Sequence, residues 1–315
     1  MMMWRQKHPR DPDPDDREGG FVLIAVLWLL VSLAGLAGAL SVYLVSTSQR
    51  LSLDDARLRS AALASAGLEL AAYRLSASPK PQRPAAGAFS FRLDHAQVSV
   101  TFRSEAARID LNQASRQMLA NLFEVLGARA DKAGEYAERI VGWRTPPADN
   151  VADAERDLYR TAGADYMPRS APFANVEELR LVLNLPPPLV DRAMSFVTVF
   201  SGRREIDALE AAPEVVAALP GMTQEQLKSF LDQRAGLRRD VRSLNAALGP
   251  ARAGATLEVA DAVRVWVTIG FDGGRRAATE AVILLGDGED PYRVLAWRED
   301  VNTPGMLRQT GKAPR

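Results

Sequence analysis

Gly19-Gly20 followed by FVLIAVLWLLVSLAGLAGALSVYLV, Phe21 to Val45, is the stretch that decides how this chain is organised. No charged residue occurs between Glu18 and Arg50. As an α-helix, Phe21 to Val45 would reach about 37 Å at ~1.5 Å per residue, and a bilayer's hydrocarbon layer needs about 30 Å. A buried core helix fits poorly, because globular helices keep a polar face and this run has none. A cleaved secretory signal would use Ala37-Gly38-Ala39, but the apolar run continues past it to Val45, beyond an ordinary signal core. A retained membrane helix fits both length and charge. Arg5, Lys7, His8, Arg10 and Arg17 precede it and Arg50, Arg57 and Arg59 follow, a small bias towards a cytoplasmic N-terminus.

Upstream, residues 4 to 18 are polar, and Pro9, Pro12 and Pro14 oppose a helix there. Downstream, Ser46 to Ser76 is helix-compatible. Leu58, Ala61, Ser65, Leu68, Ala72 and Leu75 fall at alternating three- and four-residue steps, which predicts one buried stripe. A break near Ser46–Ser48 would give two helices instead of one. Pro79 to Gly87 reads as a linker, and the alternation around Asp94-His95 predicts a β-hairpin with His95 in the turn.

Residues 109 to 200 change character. Ile109-Asp-Leu-Asn leads to predicted helices at Gln113–Leu126 and Ala130–Trp143. A polar loop follows from Arg144 to Pro172, with Asp149, Asp153, Glu155, Asp157 and Asp165. Asn175-Val-Glu-Glu178 suggests a capping box opening a third helix, ended by Pro186 to Pro188, with Leu189 to Phe196 adding a fourth. Ile206-Asp-Ala-Leu repeats the first motif loosely before a helix-turn-helix over Pro213–Leu219, Pro220-Gly221 and Thr223–Arg234. Val263–Phe271, Ala277–Leu285 and Tyr292–Arg298, separated by glycine-rich turns, predict an antiparallel meander.

The bulk numbers exclude several function classes. Lys plus Arg equals Asp plus Glu at 39 each, so overall charge gives no reason to bind nucleic acid. Without cysteine there are no disulfides or thiolate-bound zinc, and two histidines leave little for a metal site or triad. No phosphate loop, G-x-S-x-G elbow or H-E-x-x-H occurs, so the expectation is no catalytic site.

The polar leader ending in Gly20, with the apolar run starting at Phe21, resembles the leader of type IV pilins and pseudopilins. Together with IDLNQAS, PFANVEELRLVLNLPPPLV, FVTVFSGR, LPGM and YRVLAWR, the chain resembles type II secretion system protein K, a minor pseudopilin family, from Gly19 to about Arg298. The resemblance implies an α+β pilin-like fold: a long N-terminal helix on an antiparallel sheet, plus an inserted all-α (SAM-like or helix-hairpin-helix-like) domain. It implies a leader at 1–20, a transmembrane part at 21–45 and a pilin-like helix and first strands at 46–108. The inserted domain would occupy 109–200, and a second small helical unit with the C-terminal strands 201–315. Prepilin peptidase would cut between Gly20 and Phe21, and Phe21 would be N-methylated. Most pilins carry glutamate at the fifth mature position, whereas this sequence has Ala25, which the resemblance makes typical of protein K.

The implied role is a pseudopilus tip subunit supporting export across the outer membrane. It would be anchored by one pass in the inner membrane with its bulk in the periplasm, and partnered by minor pseudopilins I and J, with no nucleic acid and no small-molecule substrate. Family members bind calcium, so calcium is the one cofactor implied, without a ligand set. The sequence departs from the family at Gly142-Trp-Arg-Thr-Pro-Pro-Ala-Asp149, where an aspartate-rich DWRDxD is usual, and at Ala208-Leu-Glu-Ala-Ala, where an Asn-Thr pair is usual.

The rival reading is a membrane-anchored helix-hairpin-helix DNA-binding protein, because Leu219-Pro-Gly221 resembles that hairpin's turn. Thr223 stands where such hairpins carry a second glycine, and residues 203 to 240 hold six Lys/Arg against seven Asp/Glu.

Overall fold

The computed structural model describes residues 18–147, 153–286 and 290–299. The chain divides into two compact units, Met1–Ala61 and Ala62–Arg315. The long helix α1, Glu18–Ser76, runs without the break near Ser46–Ser48 that would have made two helices. The predicted polar leader lies almost wholly outside the described residues.

In the first unit, every described side chain from Leu23 to Ser41 is exposed. Leu23–Ser41 is long and apolar enough to cross a membrane by length and composition.

The second unit is built on a five-stranded sheet of order β1-β2-β5-β6-β7, antiparallel throughout. Its strands are β1 (Ala86–Leu93), β2 (Ala96–Ser104), β5 (Ala262–Phe271), β6 (Arg276–Leu285) and β7 (Tyr292–Glu299). Strict alternation makes β2 two-faced: Val98, Val100 and Phe102 are buried, while Gln97 and Ser99 are exposed. The hairpin and the meander both form as expected, with Asp94-His95 in the turn and the His95 side chain 91% exposed. The same apolar face receives Leu63, Ala64, Leu68, Ala71, Ala72 and Leu75 of α1.

The helix therefore buries a band two rows wide rather than the single stripe expected. Leu68, Ala72 and Leu75 are on it, Ser65 is exposed, and Leu58, in the first unit, is 70% exposed. A helix on a flat sheet needs a broad contact face, and small residues let it sit close. A Cβ added at Gly67 would lie 3.0 Å from Val267 Cγ1 and 3.2 Å from Val100 Cγ2.

β2 and β5 are hydrogen-bonded neighbours, yet Glu105 to Asp261 lies between them in sequence. That long excursion carries its own core, running from Ile109 to Ala255. In chain order it contains β3 (Ile109–Asp110), α2 (Arg116–Val125), α3 (Ala130–Arg144), α4 (Ala154–Thr161), α5 (Pro187–Ala193), β4 (Val197–Thr198), α6 (Pro213–Ala217), α7 (Gln224–Gln233) and α8 (Val241–Leu248). α2, α3, α6 and α7 match expectation.

Four expectations are corrected. The polar loop contains α4, capped by Asp153, whose side chain accepts from Arg156 N. Val176–Leu181 is a 3-10 turn rather than an α-helix. Asn175 caps Glu177 N, but Glu178 forms no capping box, because it accepts from Trp143 Nε1 and Ala174 N instead. The chain after Arg234 adds α8, which apolar periodicity did not reveal.

Candidate functional site

Three regions of the chain carry its functional candidates: the N-terminal helix, the two Ile-Asp turns, and the junction between sheet and excursion.

Gly20, Phe21 and Ala25 all lie within α1. Ala25 is exposed, one of an unbroken series of apolar surface positions. A charge there, on a helix in hydrocarbon, would cost several kcal/mol without a partner.

The two Ile-Asp motifs fold alike. Ile109 and Ile206 are buried, and each pairs in parallel with the chain's exit from its unit, at Val197 and at Ala255. Asp110 Oδ1 accepts from Asn112 N at 2.8 Å, and Asp207 Oδ1 from Leu209 N at 3.2 Å. Each is a buried Asx turn leading towards a helix. Burial pushes both carboxyls above the usual carboxylate range, against the pull of their donors. Asn112 goes further, holding Phe173 by two hydrogen bonds across the excursion, at 3.0 and 2.6 Å.

At the junction, Glu105, the residue after the end of β2, is 1% exposed. Its Oε1 accepts from Arg264 Nε at 2.7 Å, and its Oε2 from Arg264 Nη2 at 3.0 Å and from Thr198 Oγ1 of β4. Arg264 Nη1 also donates to Glu280 of β6, whose other oxygen accepts from Trp266 Nε1 at 2.9 Å. Burial opposes the charge on Arg264, but Glu105 and Glu280 outweigh it and hold its pKa above the ordinary guanidinium value. Burial likewise works against ionised Glu280, yet Arg264 keeps its carboxyl below the usual range. This network ties β2, β5 and β6 to β4, and Arg298 Nη2 to Glu177 Oε1 at 3.3 Å ties β7 to the excursion as well. Sequence reading missed it. Its signal was a charged residue inside each of two apolar strands, Val263-Arg-Val and Thr279-Glu-Ala.

The acidic residues of the predicted loop do not converge. Asp153 caps α4, Glu155 pairs with Arg139 at 2.6 Å, Asp157 pairs with Arg160 at 2.5 Å, and Asp149 lies outside the described residues. Among the described residues, no three His, Asp or Glu side chains gather as metal ligands. The Leu219-Pro-Gly221 turn does form between α6 and α7, with Gly221 at φ +82°. Thr223 caps α7 in a full capping box with Gln226, and the helix's first turn is acidic at Glu225. Neither feature favours phosphate over water at that helix end.

Residues 99–202 match the family model for type II secretion system (T2SS), protein K. Among solved structures, the chain is similar to one in the crystal structure of the GspK-GspI-GspJ complex from the enterotoxigenic Escherichia coli Type 2 Secretion System. The identity is 18% and the TM-score 0.53, over 80% of this chain and 98% of that one. No curated protein matches by sequence. The likeness read from the sequence and the family match agree, and the solved structure shares the mixed fold of helices and antiparallel sheet.

Proposed function

We propose that the chain, whose residues 99–202 match the family model for type II secretion system protein K, belongs to that family and serves there as a minor pseudopilin. The family match carries this reading, and the helix-on-sheet unit and the apolar Leu23–Ser41 segment support it. In it, residues 1–20 are a leader removed by prepilin peptidase after Gly20, and Phe21 is then N-methylated. Residues 21–45 anchor the chain by one pass in the inner membrane, and the bulk lies in the periplasm. Residues 46–108 give the pilin-like helix and first strands. Residues 109–200 form the inserted domain of SAM-like or helix-hairpin-helix-like type, all-α apart from the two-residue β3–β4 ladder, and 201–315 the smaller helical unit and closing strands. The role is structural rather than enzymatic.

The partners are minor pseudopilins I and J, and the place is the tip of the pseudopilus, in support of export across the outer membrane. Ala25 suits that place, because it offers no buried charge for a further subunit's N-terminal amine to meet.

Three measurements test the reading. Mass spectrometry of the protein from its own membrane is expected to give a methylated Phe21 as first residue; a chain beginning at Met1 or just after Ala39 refutes the processing. Co-expression with the minor pseudopilins I and J is expected to yield a one-to-one-to-one complex. Regular spacing of the labelled chain along the filament shaft would end the tip assignment.

A further inference from the structure

A cavity of about 360 Å³ lies between the sheet's β5–β7 side and the excursion, floored by Arg264, Glu280 and Val282 and walled by Leu295, Ala296 and Ser195. Arg108 also lines it, and its electrostatic position is unusual. Both oxygens of Glu105 and both of Glu280 are engaged by Arg264, Thr198 and Trp266. Glu177, next in sequence to the lining residue Val176, is shared between Arg298 and Arg180. Every carboxylate near Arg108 is thus already committed. Among the described residues Arg108 makes no ion pair, and its hydrogen bonds are two long ones, Nη1 to Met194 O at 3.3 Å and to Val197 O at 3.4 Å. Burial, with Arg264 alongside, lowers its pKa to about 10, so it stays charged at neutral pH while poorly solvated. A guanidinium presents a planar fork of donors suited to a carboxylate, and this one has donors to spare.

We propose that this cavity is a binding site for a carboxylate borne next to an apolar group, with Arg108 as its anchor. Arg108 takes the carboxylate, Ser195 stands beside it as a further donor, and Val282, Leu295 and Ala296 cover the apolar part. Arg298 at the rim adds positive charge for approach. A second cavity of about 140 Å³ on the other side of Arg108 also touches Glu105 and Arg264. The larger one is chosen because it alone has the apolar wall from β7. The ligand's chemistry can come from a free organic acid or from the C-terminal residue of a polypeptide. The inference does not depend on the pseudopilin reading.

The test uses the full chain in detergent, with hexanoate, N-acetyl-phenylalanine, a short peptide ending in a free phenylalanine carboxylate, and the amides of the last two as probes. Calorimetry and tryptophan fluorescence read binding. At least one carboxylate probe is expected to bind about tenfold or more tighter than its amide, as a charge-assisted hydrogen bond would give. Preference for the peptide over hexanoate would identify a chain terminus as the source, and equal binding a free acid. R108M is expected to abolish the acid–amide difference. Should R108M fail to fold, A296F keeps Arg108 and fills the cavity from β7, and is expected to abolish binding. Equal binding of acid and amide, undiminished binding by A296F, or no binding of any probe at millimolar concentration overturns the proposal.

Discussion

The two Ile-Asp turns begin alike and are completed differently. In both, the aspartate's main-chain oxygen accepts from the residues three and four later: Gln113 and Ala114 at 3.1 and 2.8 Å, Glu210 and Ala211 at 3.1 and 2.9 Å. In both, the alanine carbonyl that follows takes an arginine from further along its unit: Arg144 Nη2 to Ala114 at 2.7 Å, and Arg234 Nη1 to Ala211 at 2.6 Å. The difference lies at the second carboxylate oxygen. Asp110 Oδ2 is held by neutral donors, Ser201 Oγ at 3.0 Å and Gly202 N at 2.8 Å. Asp207 Oδ2 is held by Arg239 Nη2 at 2.5 Å. One backbone motif can therefore satisfy a buried carboxylate either by dipoles from the chain leaving the unit or by an ion pair. The first route locks entry to exit; the second leaves a partly exposed cation that can return to water.

The largest expected effects test whether the two turns share one core. Ile109→Ala and Ile206→Ala each remove a fully packed side chain, so each is expected to cost about 2–5 kcal/mol. Because their neighbours form one continuous cluster, denaturation of the full chain in detergent should show a single transition for the excursion in both variants. Two separated transitions, with only one moved by each change, would break the comparison into independent units.

A smaller effect separates the two carboxylates. Asp110→Asn turns an NH₂ towards Gly202 N–H or Asn112 N–H, a donor facing a donor in a buried site, and is expected to cost about 1–3 kcal/mol. Asp207→Asn should cost less, since Arg239 can swing to solvent. The pH dependence has a definite sign. The folded pKa of Asp110 is raised by burial, so its contribution is fully present below the unfolded value near 4 and is lost as pH rises through the folded value. The stability gap between the parent chain and D110N should therefore widen as pH is lowered from 7 towards 4. A gap that narrows would mean that the donors win over desolvation.

Much of this architecture was legible in the sequence, for reasons that also explain the failures. The strands announced themselves as apolar, β-branched runs bounded by turn residues; strict alternation of burial belongs to β2, whereas β5 buries four residues in succession from Ala262 to Val265. Helices α2 and α3 showed enough apolar residues to display a period. Helices α4 and α8 are amphipathic, but at eight residues each spans about two turns, too few for a repeat to stand out from the surrounding loop. The repeated Ile-Asp was visible, but its carboxylates' partners were not, since Ser201 and Gly202 lie about ninety residues beyond Asp110. Glu105 and Arg264 are 159 residues apart, and only the β2–β5 pairing brings them together. Gly20, Phe21 and Ala25 came from motif and resemblance rather than from any packing argument.

The smallest expected effect lies at the first helix of each unit, where the two turns differ by one hydroxyl. Ser115 caps α2, its Oγ accepting from Met118 N at 3.2 Å. Ala212 occupies the same place before α6, where no side chain caps the helix and Pro213 merely sets the first turn. Removing the first cap by Ser115→Ala should cost about 0.5–2 kcal/mol. Installing the second by Ala212→Ser should stabilise, by less than that. The new hydroxyl would face Val215 N, which already donates to Ala212 O at 3.0 Å. α6 is also only five residues long, so fewer hydrogen bonds depend on its first turn than in the ten-residue α2. Chemical denaturation of both single variants and the double, in which loss and gain should add within a few tenths of a kcal/mol, measures the difference directly. If Ala212→Ser destabilises, the proline-led start of α6 is already satisfied, and the two units differ in how they begin a helix as well as in how they hold a carboxylate.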